Sequence, residues 1–125
     1  LFNKCSALKE IDIPESVTEI GDSAFCNCSS LSKILLPVSM CRIGVYAFWK
    51  CVSLEKVAIP SSVIEIGKSA FNGCKALKEL HIPSSVNEIG ENALAECFSL
   101  EKLSIPSSIA ILSLGILPRV NVERT

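Results

Sequence analysis

The chain has 125 residues, of which 49% are hydrophobic and 20% are charged, and its formal net charge at pH 7 is −1. This apolar fraction excludes an intrinsically disordered chain, because disordered segments combine low hydrophobicity with high net charge. The near-neutral balance argues against a nucleic-acid partner, and no apolar run approaches the roughly 18 residues of a membrane-spanning helix, so we expect no direct membrane insertion.

A 23-residue period runs the length of the chain, and proline, leucine and cysteine each recur at this step. The prolines are Pro14, Pro37, Pro60, Pro83 and Pro106. The cysteines form a structural ladder of Cys5, Cys28, Cys51, Cys74 and Cys97. A fixed period of this length predicts a stacked solenoid of about five repeats, in which each repeat buries its apolar face only against its neighbours.

The first element of each repeat is a short alternating segment that ends at the proline, as in residues 54–60. Leu54, Val57 and Ile59 are predicted to point into the core, and the same positions are aliphatic in the other repeats. Proline has no N–H to donate to a ladder, so it is tolerated at the end of a strand. Because every repeat travels the same circuit, we expect parallel strands that present one outward face.

A turn, a second extended segment and a return segment complete the repeat. A serine recurs in the turn, where its hydroxyl is expected to satisfy backbone groups. Residues 63–67 are predicted as a second short strand ending at a glycine, which supplies a backbone conformation that other residues resist. The return segment 69–74 is predicted as one helical or 3₁₀ turn that places Phe71 in the core.

The last copy departs from the pattern. Ser113 replaces the glycine, Val120 stands where cysteine is expected, and Glu123 stands where leucine is expected. We therefore predict a solenoid over residues 1–117 and a weak cap or tail over residues 118–125. Leu1–Cys5 aligns with the middle of a repeat, so the chain is expected to be a piece of a longer array. Its cut ends would expose unpaired strands, which makes an end-to-end homo-oligomer one expected partner.

The unit Leu-x-x-Ile-x-Ile-Pro-x-Ser-Val-x-x-Ile-Gly-x-x-Ala-Phe-x-x-Cys resembles the BspA-type leucine-rich repeat over residues 1 to about 112. The resemblance implies an α/β leucine-rich-repeat solenoid of stacked short parallel strands with short helical or 3₁₀ turns. It also implies a cell-surface or extracellular protein that binds host matrix proteins, other cells or other microbes. The family has no catalytic residues to transfer, so the resemblance implies a protein-binding module that is not an enzyme and uses no cofactor.

The seven cysteines favour neither a disulfide scaffold nor a metal site. Side chains on adjacent rungs point in parallel, which suits disulfide geometry poorly, and a chain with one histidine offers no two-plus-two ligand pattern. The ladder cysteines are therefore predicted to be small buried hydrophobes. Cys26 and Cys41 lie off the ladder and are predicted to be exposed thiols. Free thiols favour a reducing compartment, so a cytoplasmic location stays as the alternative.

The variable columns turn apolar between Leu31 and Ser53, where the only Trp and the only Tyr of the chain also fall. Exposed aromatic and apolar residues are typical of binding patches. With the outward strand positions, the candidate ligand-binding residues are Leu35, Val38, Val45, Tyr46, Trp49, Ala58 and His81. Three interpretations stay open: a protein ligand, contact with a missing domain or a second subunit, and packing of Tyr46 and Trp49 on each other or on neighbouring phenylalanines, which would shield the core.

The leading hypothesis is a non-catalytic module for adhesion or for binding host or matrix proteins. The rival is an intracellular interaction scaffold, in which free thiols are at home. A third hypothesis is the repeat region of a larger enzyme. His81 is predicted to be a solvated strand residue, because a catalytic histidine needs an orienting partner and a nucleophile or metal.

Overall fold

Ten short strands and almost no helix make up the structure, a computed structural model that describes residues 5–125. The mid-repeat start predicted at residues 1–4 lies outside the described residues. The first row of strands contains β1 (Glu10–Asp12), β3 (Lys33–Leu35), β5 (Lys56–Val57), β7 (Glu79–His81), β9 (Lys102–Ile105) and β10 (Asn121–Arg124). The second row contains β2 (Glu19–Ile20), β4 (Arg42–Ile43), β6 (Glu65–Ile66) and β8 (Glu88–Ile89).

Parallel pairing at a step of one repeat joins the strands. Glu10 pairs with Lys33, and Lys33 pairs with Lys56, so equivalent residues of successive repeats stand side by side. In the described chain the first row has two ladders, β1–β3–β5 and β7–β9–β10, with β7 packed beside β5. The second row is continuous from β2 to β8. The predicted parallel-strand solenoid is confirmed.

A column of phenylalanines fills the core between the two rows. Phe25 stacks on Phe48 and Phe48 on Phe71, with ring centroids 5.4 and 5.3 Å apart and planes within 6° of parallel. All three are buried, and Leu94 takes the next place. Offset stacking of large rings adds contact energy to the burial of apolar area, so the column ties successive repeats together.

The return segments are consecutive turns, whereas a helical or 3₁₀ turn was predicted. Among residues 5–125 the only helix is a 3₁₀ helix at Leu112–Leu114. Each return segment turns at two left-handed residues, such as Ser23 with φ 59° and Asn27 with φ 61°. Alternate N–H groups of the segment donate to the next repeat, as Phe25 N does to Ala47 O at 2.8 Å, and those between them bond three residues back, as Cys26 N does to Ser23 O at 3.2 Å. A third row of hydrogen bonds between repeats therefore takes the place of every second bond that a helix would make internally.

The glycine column has a different cause from the one predicted. Its members do not have positive φ; instead, a Cβ on Gly67 would lie 2.6 Å from the backbone of Gly44. At Gly90 the same atom would meet the amide nitrogen of Lys68 more closely still. Glycine is needed because the backbones of successive repeats approach closely, a role that any side chain would obstruct.

The serine column acts between repeats. Ser39 Oγ donates to Val17 O at 3.0 Å, and Ser85 Oγ donates to Val63 O at 2.7 Å. The prediction that these hydroxyls satisfy backbone groups is correct at both positions. Ser62 Oγ is buried and makes no hydrogen bond, so this rung of the column does not make the bond that its neighbours make.

The last copy is shorter than the others, and its predicted alignment is wrong by three residues at the cysteine and leucine positions and by four residues in the strand that follows. Val120 N donates to Leu117 O as Leu100 N donates to Cys97 O, so Leu117 and Val120 take the cysteine and leucine positions. Asn121 of β10 then pairs with Lys102 of β9, a step of 19 residues. The sequence pattern concealed this because the last copy has no phenylalanine to mark the position of its return segment, where most of the missing residues fall.

Candidate functional site

The outward side chains of the first strand row form an open groove of about 720 Å³. The register of β3 and β5 places Lys33 beside Lys56, and Leu35 lines the same groove as Ala58. The lining residues are Ser32, Lys33, Ile34, Leu35, Glu55, Lys56, Ala58, Lys78, Glu79, Glu101 and Lys102. We call this set the strand-face groove. It combines an apolar strip with charges of both signs, which suits a polypeptide ligand better than a small apolar molecule.

Leu35 is the most conspicuous apolar residue of the strand-face groove, with 48% of its surface exposed. Asp12 precedes it on the neighbouring rung, and Ala58 follows it. Val38 lies in the turn that follows β3 and is 77% exposed. Two of the predicted binding residues, Leu35 and Ala58, therefore share this surface, with Val38 just beyond the end of the strand.

His81 occupies the next rung of the same face and has a partner that sequence reasoning missed. His81 Nδ1 lies 2.9 Å from Ser104 Oγ on the neighbouring strand. The signal was available, because Ser104 follows His81 by one repeat length. The imidazole is exposed, and in the described chain no hydrogen bond orients its second nitrogen. The pair shapes the polar end of the face, and it lacks the orienting group that a nucleophilic serine requires.

Val45, Tyr46 and Trp49 lie on the other side of the coil, in a return segment. Tyr46 packs edge-on against Trp49 with centroids 6.0 Å apart, and Lys50 Nζ lies 4.5 Å from the centre of the Trp49 ring. Tyr46 is 36% exposed, and Val45 and Trp49 are half-buried. The candidates therefore form two separate surfaces. The aromatic pair is partly self-packed, as the packing interpretation expects.

Tyr46 also has a left-handed backbone, with φ 58°. The equivalent positions hold Ser23, Ser69 and Asn92. An aromatic residue in this region is uncommon, whereas asparagine tolerates it well. Tyrosine is thus accommodated here against its local preference, which marks this rung as different from the others.

The ladder cysteines serve as hydrogen-bonding links between repeats. Cys51 Sγ donates to Phe25 O at 3.0 Å, and Cys74 and Cys97 donate to the carbonyls of Phe48 and Phe71. Burial raises the pKa of Cys51 and of Cys97 to about 12, and it raises the pKa of Cys28 and Cys74. Thiols held protonated are poor nucleophiles and poor metal ligands. Cys5, the first of the ladder, is half-buried.

The two cysteines off the ladder differ from each other. Cys41 is exposed, as predicted. The prediction of an exposed Cys26 is wrong, because its side chain is buried and accepts a contact from Asn27 Nδ2 at 3.5 Å. Two left-handed residues, Ser23 and Asn27, bracket this position. Neither a strand period nor a helix period assigns faces correctly in such a segment.

Two wider properties bear on chemistry. Within residues 5–125, no three His, Cys, Asp or Glu side chains are grouped closely enough to hold a metal ion. No helix in that range is long and apolar enough to cross a membrane.

On the second strand row, Arg42 lies between Glu19 and Glu65, at 3.6 and 3.3 Å from their carboxylates. Sequence reasoning missed these two salt bridges, although the step of 23 residues places the three charged residues side by side on adjacent strands.

Comparison with known proteins agrees with this geometry. The family described as BspA type Leucine rich repeat region matches residues 1–117, with six copies of the repeat. The chain is similar to a solved leucine-rich repeat protein from Bacteroides ovatus, with 32% identity and a TM-score of 0.93. That match covers 100% of this chain and 32% of the other. No protein with a curated description matches the chain.

Two further solved structures carry more descriptive names. A leucine rich cell surface protein from Faecalibacterium prausnitzii is 32% identical, with a TM-score of 0.82, over 93% of this chain and 32% of that one. The pneumococcal vaccine antigen PcpA is 26% identical, with a TM-score of 0.85, over 98% of this chain and 32% of that one. This chain thus spans about a third of the length of each of these structures.

Proposed function

We propose that this chain, which belongs to the BspA-type leucine-rich-repeat family of protein-binding repeats, acts at a cell surface and binds a host or matrix protein there. Such repeats are typically non-enzymatic. Family and fold support the role of a protein-binding module. The cell-surface location and the class of ligand are proposals.

The observation that carries this proposal is the strand-face groove. Its strands belong to two parallel ladders, β1–β3–β5 and β7–β9–β10, so its side chains are held on a rigid frame. Leu35 and Ala58 offer an apolar strip among the charges of Lys33, Lys56 and Glu79. Apolar contact with a charged surround is the usual composition of a protein interface.

The surface location is supported by two observations. Among the similar structures are a cell surface protein of Faecalibacterium prausnitzii and a pneumococcal vaccine antigen. The free cysteines, which favoured the cytoplasmic alternative, are weaker evidence for it once their burial is known. Cys28, Cys51, Cys74 and Cys97 are buried, with raised pKa values, so the fold itself protects these thiols from oxidation.

Affinity capture tests the proposal. The domain would be incubated with host-cell surface extract and, separately, with lysate of the source cell, and captured proteins would be identified by mass spectrometry. Leu35→Glu and Trp49→Ser would be used as separate variants, because the two residues lie on different sides of the coil. Asn87→Glu, which adds the same charge at an exposed position away from the strand-face groove, is the matched control.

We expect a surface protein that the wild type and Asn87→Glu capture, that Leu35→Glu loses, and that binds the purified domain directly. Loss with Trp49→Ser alone would move the site to the return-segment side. Capture of cytosolic proteins only, with direct binding to one of them, would contradict the surface location and support the scaffold hypothesis.

A further inference from the structure

A second surface, around Phe98, adjoins the strand-face groove, with which it shares Lys78 and Glu101, and carries features of a binding site of its own. Phe98 is 46% exposed in the turn that leads into β9. The same position in the preceding repeats holds Ser6, Ser29, Val52 and Lys75, so a phenylalanine is not required by the fold. An exposed ring at a position where serine suffices has no structural role to explain it.

Cations surround this ring. Lys75 Nζ lies 5.9 Å from the centre of the Phe98 ring. On the other side Phe98 lines an open pocket of about 540 Å³ with Lys78, Ser99, Leu100, Glu101 and Arg119. In the part of the chain that the structure describes, ion pairs within 4 Å involve Arg42 alone among the cations, so Lys75, Lys78 and Arg119 have no carboxylate partner.

The shortened last copy builds this site. Its hydrogen bonds set Leu117 and Val120 level with Cys97 and Leu100. Arg119 therefore stands on the rung after Ser99, next to Phe98, where a full-length copy would place a different residue. Phe98 and Arg119 line the same pocket because the array changes its step at this point.

We propose that the Phe98 site, made of Lys75, Lys78, Phe98, Ser99, Glu101 and Arg119, binds an acidic peptide segment of a partner protein that carries an apolar side chain between its carboxylates. Three cations against the single carboxylate of Glu101 favour an anionic ligand. The arginine fork matches the geometry of a carboxylate. Since Lys75 covers one side of the ring, the exposed remainder is suited to one apolar side chain.

Titration with model peptides tests this proposal. The probe is the blocked peptide Glu-Glu-Leu-Glu-Glu, followed by ¹H–¹⁵N correlation spectra of the labelled domain. We expect saturable shifts at the amides of Phe98, Ser99 and Arg119, with the amides of Lys33 and Leu35 unmoved. The uncharged peptide Gln-Gln-Leu-Gln-Gln should give no saturation below 5 mM, because it lacks the carboxylates.

Two variants separate the parts of the site. Phe98→Ser restores the residue type found at positions 6 and 29, so it leaves the fold intact, and Arg119→Glu reverses one charge. We expect each to weaken the peptide at least tenfold. Lys68→Glu, an exposed lysine in a different column, should change the affinity less than twofold.

Three results would overturn the proposal. The first is no saturation with the acidic peptide at 5 mM, and the second is unchanged affinity in both Phe98→Ser and Arg119→Glu. The third is a sulfated tetrasaccharide that shifts the same amides in wild type and Phe98→Ser alike while the peptide does not, which would assign the cations to a glycan. Leu35→Glu should leave peptide binding unchanged, so failure here is distinguishable from failure of the strand-face groove.

Discussion

Phe71 shows how much a single core residue contributes to stability when every repeat packs against its neighbours. Its ring stacks on Phe48 and is buried. Removing the ring leaves a cavity between rigid repeats, and such losses cost about 3–5 kcal/mol. We expect Phe71→Ala to lower the free energy of unfolding by this amount in urea denaturation. Phe98→Ala, at an exposed ring, is the control and should cost less than about 1 kcal/mol. Equal losses of unfolding free energy in the two variants would contradict the placement of Phe71 in the core.

The buried thiols make stability depend on alkaline pH. The pKa of Cys51 and of Cys97 rises from an ordinary value near 9 to about 12, because burial disfavours the thiolate. Above pH 9 the unfolded chain releases these protons and the folded chain does not, so rising pH stabilises the unfolded state relative to the folded state. The stabilising contribution is therefore complete below pH 9 and is lost between about pH 9 and 12, at about 1.4 kcal/mol per pH unit for each thiol.

Urea titrations at a series of pH values measure this slope. Cys51→Ala should reduce the loss of stability by about 1.4 kcal/mol per pH unit in that window, whatever its effect at neutral pH. Val63→Ala, at a buried residue that carries no titratable group, should leave the slope unchanged. A Cys51→Ala slope equal to that of the wild type would show that this thiol titrates normally in the folded state.

The residues best predicted from the sequence are those that a period assigns. Leu54 and Val57 follow the strand alternation, and both are buried as expected. Cys26 was assigned wrongly because the return segment turns at Ser23 and Asn27, which removes any simple relation between spacing and face. The partner of His81 was predictable in principle, since neighbours one repeat apart touch in a parallel ladder.

At the level of elements, the return segments show why a helix was predicted and does not form. A small residue followed by a phenylalanine fits a helical turn by composition. A helix, however, would satisfy all its N–H groups internally, and here every second N–H group bonds to the next repeat, as Tyr46 N does to Lys68 O at 2.9 Å. Hydrogen bonding between stacked repeats therefore overrides the local helix propensity. The sequence pattern of a single repeat does not reveal these bonds.

The glycine column makes a prediction that belongs to this scale. A Cβ at Gly67 would meet the backbone of Gly44 and Val45 at 2.6 Å, whereas a Cβ at Gly21 would meet nothing within 4 Å. We expect Gly67→Ala to separate two return segments and to cost about 1–3 kcal/mol, as overpacking does. Gly21→Ala should cost less than about 0.5 kcal/mol. Thermal unfolding followed by circular dichroism compares the two, and similar melting temperatures would contradict the close-approach explanation.

For the whole molecule, the period predicted the architecture and the sheet direction, because a repeat that buries its face only against neighbours has few other ways to stack. The separation of the candidate residues into two surfaces was harder to predict from the sequence. Leu35 and Trp49 belong to one repeat in sequence but lie on different sides of the coil. The change of step in the last copy was hidden for a similar reason, since it falls where side-chain periodicity is weakest.

Binding to intact host cells tests the central claim most directly. The fluorescently labelled domain would be titrated onto the cells beside Leu35→Glu and the control Asn87→Glu, with equal folding checked by circular dichroism. We predict saturable binding by the wild type and Asn87→Glu, and at least a tenfold loss with Leu35→Glu. Binding that is absent, or that is the same in all three proteins, would contradict a surface-acting module that recognises its ligand through the strand-face groove.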